Sequence, residues 1–210
     1  MTAIRDAYLE AAASVAALLG DAGVAVAWDR PSVLKEFSVH GLAGHVGSQV
    51  FYVSWLLEAQ AAEEEPLPVA DFYTRAAAFH ADVDAEVNVN IREGGESAAA
   101  GGAEAFAGEV ASAVARQRAA LPAESADRIV SFVGTPLTLD DFLLTRMVEI
   151  VVHSDDLALS AGIPTPSFPP GVFEPVLDLL SRLAVVRHGQ TAVLRALSRA
   201  ERAPAVITGI

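Results

Sequence analysis

Apolar residues recur at three- and four-residue intervals along most of the chain, broken by clusters of glycine, proline and acidic residues. That period is helical. The first such stretch covers about residues 2–20 and is stopped by Gly20 and Gly23. A loop with Trp28, Asp29, Arg30 and Pro31 follows, and Ser32 suits the cap of a short turn. Ser38 is placed to cap a second helix reaching about residue 63, ended by Glu63, Glu64, Glu65 and Pro66. A third helical stretch runs from about 69 to 91, and the glycine-rich segment 94–102 reads as a loop or a broken helix start. Residues 103–121 form the next helix, limited by Pro122. The run Ile129-Val130-Ser131-Phe132-Val133 is β-like but isolated, so it reads as a buried connector. Thr138, with Asp141 three residues on, makes a capping-box-like start for a helix over about 139–160. Gly162, Pro164, Pro166, Pro169 and Pro170 form a stiff linker, after which helices over about 172–187 and 191–198 close the pattern.

Many helices without alternating strands point to an all-α bundle. Four main helices are expected, with further helices packed outside and connections long enough for a crossover. The 210 residues suit one domain overall, with a bundle over 1–162 and a C-terminal helical extension over 163–210. Over half of the residues are apolar and 20% are charged, a globular rather than a disordered composition. A formal charge of −13 argues against a nucleic-acid partner, which needs clustered Lys and Arg. The N-terminal run 11–20 is mostly alanine and follows Arg5, Asp6 and Glu10, so it reads as a bundle helix rather than a signal peptide or membrane span. A cytoplasmic protein is expected. Lys35 is the only lysine among 14 basic residues, which suggests a GC-rich bacterial genome.

There is no cysteine, which removes disulfides, thiolate ligands and a cysteine nucleophile together. A metal would have to use His, Asp, Glu or backbone oxygen. Of the five histidines, His153 is the most informative, because it stands four residues after Glu149 on a helix. At about 100° per residue the two side chains share one face, with Cβ atoms about 5–6 Å apart. Their neighbours Val148, Ile150, Val151 and Val152 are apolar, and a buried carboxylate and imidazole need a partner or a metal. Taken alone, the pair is a weak pattern that reads as hydrogen-bonded on a partly wet face, with a metal as the alternative. His45 lies among Gly41, Gly44 and Gly47, a stripe that calls for close approach of a helix or a ligand; it is a candidate third ligand or a satisfied core histidine. Asp156 shares the stripe of Glu149 and could orient His153 or simply be solvated. Arg146, one turn before Glu149, could steer an anionic substrate or pair with Glu149. His40 is turned away from His45. His80 with Asp82 and Asp84 looks like a polar helix face, and His188 suits a helix end. A phosphate loop, a nucleophile elbow and a His-Glu-x-x-His helix are all missing from the sequence.

Three passages resemble the DinB-like bundles, and among them the metal-binding N-terminal domain of mycothiol-dependent maleylpyruvate isomerase. They are Trp28 to Ser32 leading into Phe37-Ser38-Val39-His40-Gly41-Leu42-Ala43-Gly44-His45, then Gly134-Thr135-Pro136-Leu137-Thr138 through Arg146, Glu149, His153, Asp156 and Leu157, and the tail Thr191 to Leu197. The resemblance implies a four-helix bundle with one long crossover. It implies a divalent metal on His45, Glu149 and His153, zinc ahead of nickel or ferrous iron, with an open position of the catalytic kind. It also implies a low-molecular-weight thiol as cosubstrate and a small electrophilic substrate, with Arg146 and Asp156 as candidate catalytic residues. That isomerase has a further C-terminal α/β domain, whereas the 48 residues after Gly162 read as helices and a short tail. A non-catalytic, stress-related metal-binding bundle and a metal-assisted hydrolase are the alternative functions. A homodimer is compatible with the sequence.

Overall fold

The computed structural model describes residues 1–75, 82 and 84–210. The described helices are α1 (Ala3–Leu19), α2 (Ala22–Ala27), α3 (Val39–Glu58), α4 (Val69–Arg75), α5 (Glu86–Ala98), α6 (Ala103–Ala120), α7 (Leu139–Ala161), α8 (Pro170–His188) and α9 (Gln190–Ser198). A two-stranded hairpin, β1 (Ile129–Phe132) and β2 (Thr135–Thr138), precedes α7. This is the expected all-α bundle. Its four bundle helices are α1, α3, α6 and α7, and α8, which is as long, packs outside them on α1 and α7. Each of α1 and α3 packs against both α6 and α7, so the two pairs occupy opposite diagonals. The chain therefore crosses the bundle twice, through α2 and through the hairpin. Leu42, Val46, Val50 and Val53 of α3 and Phe142, Leu143, Met147, Ile150 and Leu157 of α7 are buried in the shared core. Val172, Val176, Leu179 and Leu183 of α8 join the same core from outside.

Several helix ends follow directly from side-chain caps. Thr2, Ser38 and Thr138 each accept a hydrogen bond from the backbone N–H three residues on, at Arg5, Gly41 and Asp141. A side-chain cap of this kind stabilises a helix by about 1 kcal/mol. Gly162 ends α7 with φ of 71°, a left-handed stop that glycine adopts without strain.

The structure departs from the sequence expectation in five places. The segment after Gly20 is not simply a loop, since Asp21 caps α2 by accepting from the Gly23 N–H. The second long helix ends at Glu58 rather than near 63. There Arg128 donates to the carbonyls of Leu56, Leu57 and Ala59, satisfying groups that a longer helix would have bonded internally. The run 129–133 is no lone connector. It pairs with 135–138 across a turn in which Val133 and Gly134 both have positive φ, the hairpin-type geometry. Pro136 masks the second strand, and a valine at positive φ masks the turn. Gly94 and Gly95 lie inside α5 rather than in a loop. Gly95 packs on Gly41 and Gly44 so closely that a methyl group on any of the three would meet α5 or α3. Close backbone approach between α3 and α5 thus overrides the helix cost of glycine. The third expected helix is not continuous either: α4 covers Val69–Arg75, Asp82, Asp84 and Ala85 form a turn in which the Ala85 N–H donates to the Asp82 carbonyl, and α5 starts anew at Glu86, so Asp82 and Asp84 do not lie on a helix face. Residues 76–81 and 83, with His80, lie outside the described residues.

Candidate metal centre

Two neighbouring bundle helices supply the site. Ser38 sets the start of α3 and so the angular position of His45, two turns in. Thr138 does the same for α7, whose Glu149 and His153 lie one turn apart on the face toward α3. The glycine stripe around His45 receives helices, not a ligand: α5 fills Gly41 and Gly44, and the Phe106 ring of α6 fills Gly47. His45 lies on the face beside this stripe, about 100° round the helix from Gly44, and there it meets α7.

One ligand atom each from His45, Glu149 and His153 lies within 4.8 Å of the other two. His45 Nε2 is 3.2 Å from Glu149 Oε2, and His153 Nε2 is 3.4 Å from the same oxygen. Around a zinc ion with bonds of about 2.0–2.1 Å, tetrahedral ligand atoms stand roughly 3.3 Å apart. The donor set and its spacing therefore fit a divalent metal of the zinc class. The imidazoles of His45 and His153 meet edge to face, with centroids 4.9 Å apart, and Phe37 lies beside His45.

Electrostatics favour the metal-binding forms unequally. Burial alone pushes the Glu149 carboxyl up, but hydrogen bonds from His153 and His45, and their charge, hold it well below the usual range. Burial pulls His153 down, while hydrogen bonds to Asp156 and Glu149 and their charges outweigh it and push the imidazole up to about 9. The Asp156 Oδ2 accepts from His153 Nδ1 at 2.9 Å, which leaves Nε2 facing Glu149 and His45. This is the geometry that fixes a histidine's tautomer for ligation.

Arg146 does not pair with Glu149 among the described residues. It is 4% exposed and packs over the rings of Phe132 and Phe142, at 4.6 and 5.3 Å from their centroids. Its Nε donates to Thr145 Oγ1 and its Nη1 donates to Gln49 Oε1. The expected substrate-anchoring residue thus stands behind the site, in contact with a side chain that does reach it. Gln49, fully buried and one turn beyond His45, was not singled out from the sequence because an amide is an uncommon metal ligand. The same four-residue spacing that links Glu149 to His153 links His45 to Gln49, and it was the available signal. Tyr73 of α4 is a second buried neighbour. Its phenol is held protonated by burial first and by the charge of Glu149 second, with Arg146 opposing.

The remaining histidines lie apart from the triad. His40 pairs with Glu96 of α5 and stacks on Trp28, tying α3 to its neighbours. His188 Nε2 donates to the Thr208 carbonyl at 2.9 Å. Among the described residues, His45, Glu149 and His153 form the one cluster of three or more such side chains that could hold an ion. No helix of the described residues is long and apolar enough to cross a membrane. No curated protein and no solved structure matches the chain. The family model for the mycothiol maleylpyruvate isomerase N-terminal domain matches residues 8–158, which hold α3 and α6 whole, most of α1 and α7 and all three candidate ligands, and the chain belongs to that family.

Proposed function

We propose that this protein is a metal-dependent enzyme that uses a low-molecular-weight thiol, mycothiol or a similar one, to transfer to or isomerise a small electrophilic substrate. The observation that carries this reading is the convergence of three ligand atoms from α3 and α7, with no fourth His or carboxylate completing the cluster among the described residues. Three protein donors leave a position for an exogenous ligand, as catalytic zinc sites do. Family membership supports the mycothiol connection. The absence of cysteine means that a sulfur nucleophile has to arrive as a cosubstrate. A bound divalent metal, zinc ahead of nickel or ferrous iron, would supply a Lewis acid that lowers the pKa of that thiol.

The chain's own residues do the rest of the preparation. Asp156 keeps the Nδ1 proton of His153 on the outer side. Glu149 offers one oxygen to both imidazoles, so a single carboxylate holds the two histidines together. The three side chains are only 11–22% exposed, so these interactions are stronger than they would be in open water. Elemental analysis of the purified protein, followed by thermal-shift screening with mycothiol and simpler thiols, tests the reading. A stoichiometric divalent metal, and a thiol that stabilises only the metal-loaded protein, are the expected results. A protein that neither carries nor takes up divalent metal at micromolar concentration would overturn it.

A further inference from the structure

Gln49 is a fully buried amide whose orientation is fixed from both ends. Arginine can only donate, so the atom facing Arg146 Nη1 is the Gln49 oxygen. The Gln49 nitrogen is thereby turned toward His45, where it donates to the His45 carbonyl at 2.9 Å. It also lies 3.5 Å from His45 Nε2, one of the three candidate ligand atoms. An amide nitrogen carries two N–H groups, and the His45 carbonyl uses one of them.

The second N–H has no good acceptor among these neighbours. His45 Nε2 stands 3.2 Å from a carboxylate oxygen, which accepts, so in the ion-free arrangement the proton between them is on Nε2. A lone pair on Nε2 given to a metal would be equally closed to Gln49. Burying a donor with nothing to bond is unfavourable, because its hydration is lost without replacement. Arg146 adds to the asymmetry: it is a buried cation making no ion pair among the described residues, and its hydrogen bond polarises the amide so that the far N–H donates more strongly. Positive potential is thus delivered to the edge of the ligand triangle without placing a charge in it.

We infer that Gln49, held and polarised by Arg146, is a positioning residue whose free N–H donates to an anionic ligand entering the site beside His45. The inference rests on the metal reading above and adds what selects the incoming ligand: an anion with a lone pair turned toward α3, such as a thiolate. Arg146 acts through Gln49 and does not touch that ligand.

Cobalt(II) serves as the test ion, because its visible spectrum reports both metal uptake and sulfur ligation. The wild-type protein and the variants Gln49→Leu and Gln49→Glu are loaded with cobalt(II) and titrated with 2-mercaptoethanol. Gln49→Glu keeps the shape of the side chain and its contact with Arg146, which guards against a misfolded leucine variant. Gln49→Leu is expected to bind one cobalt with affinity within threefold of wild type, and Gln49→Glu, whose carboxylate would stand beside His45, to bind it at least as tightly as wild type. Their affinity for the thiol, read from the sulfur-to-cobalt charge-transfer band, should fall about tenfold or more, the loss expected for one hydrogen bond to an anion. Thiol affinity within twofold of wild type in both variants would overturn the inference and leave the metal reading intact. Loss of cobalt together with thiol in both variants would make Gln49 a prop for His45, which also overturns it. Failure of the wild-type protein to take up cobalt would remove the metal reading itself.

Discussion

At the scale of single residues, the triad sets a pH dependence whose sign is fixed by two opposite shifts. The His153 imidazole, at about 9 in the folded protein against an ordinary 6.5, contributes stability that is fully present below about 6.5 and is lost as pH rises through 9. Glu149, held below its ordinary 4.5, contributes stability present above that value and lost as pH falls toward its folded pKa. Chelator-treated protein should therefore lose a few kcal/mol between about pH 6.5 and 9, measured by urea unfolding across that range. A metal ion has to displace the His153 proton below pH 9. Ion uptake at pH 7 should release close to one proton, and affinity should rise with pH up to about 9. Calorimetric titration in buffers of different ionisation enthalpy reads this directly. Asp156→Asn should lower the His153 pKa and weaken metal affinity by about 10–100-fold, as loss of an outer partner of a ligating histidine does. Unchanged affinity would show that Asp156 does not orient the ring. Glu149 and His153 were legible in the sequence because helical spacing alone puts them together. The direction of Arg146 was not, since one-dimensional spacing placed it near Glu149 but could not say that Gln49 and two phenylalanine rings would claim it.

At the scale of elements, the crossing of α3 and α5 decides where His45 stands. Gly44 faces the backbone of Gly95, and a methyl group there has no room. Gly44→Ala should force the two helices apart at a cost of about 1–3 kcal/mol, seen as a lower urea midpoint with an unchanged slope, and should weaken ion binding through displacement of His45. Gly108→Ala is the control: its position in α6 is open, and alanine there should stabilise by up to about 1 kcal/mol. The element boundaries that a side-chain cap dictates were legible, as Ser38 and Thr138 show. The α5 glycines were not, because a local reading of glycine sees only its helix cost and the compensating contact comes from fifty residues away. The hairpin was hidden for a similar reason: its strands are stabilised by each other, by Leu67, whose N–H donates to the Pro136 carbonyl, and by Ala62, which donates to the Ile129 carbonyl.

At the scale of the whole molecule, the bundle brings α3 and α7 side by side although the segment between them includes α4, α5, α6 and the hairpin. The order of elements was readable from period and caps. Which helices became neighbours was not, and the family resemblance carried that expectation. Because the site exists only in the assembled bundle, an ion present at about a hundred times its dissociation constant should stabilise the fold by about 2.7 kcal/mol. For a chain of this size that corresponds to a rise in Tm of roughly 5–10 °C. Differential scanning calorimetry before and after chelation measures it, and equal transitions would contradict an ion held between the two helices. His45 and Glu149 are separated by 104 positions along the chain. The folded bundle has already met the entropy of closing that loop, so an arriving ion gains a third donor at high effective concentration. A peptide spanning α7 alone offers only a two-donor chelate and should bind far more weakly. Occupancy of the site is thus a reporter of native topology, and any process that separates α3 from α7 also releases the ion.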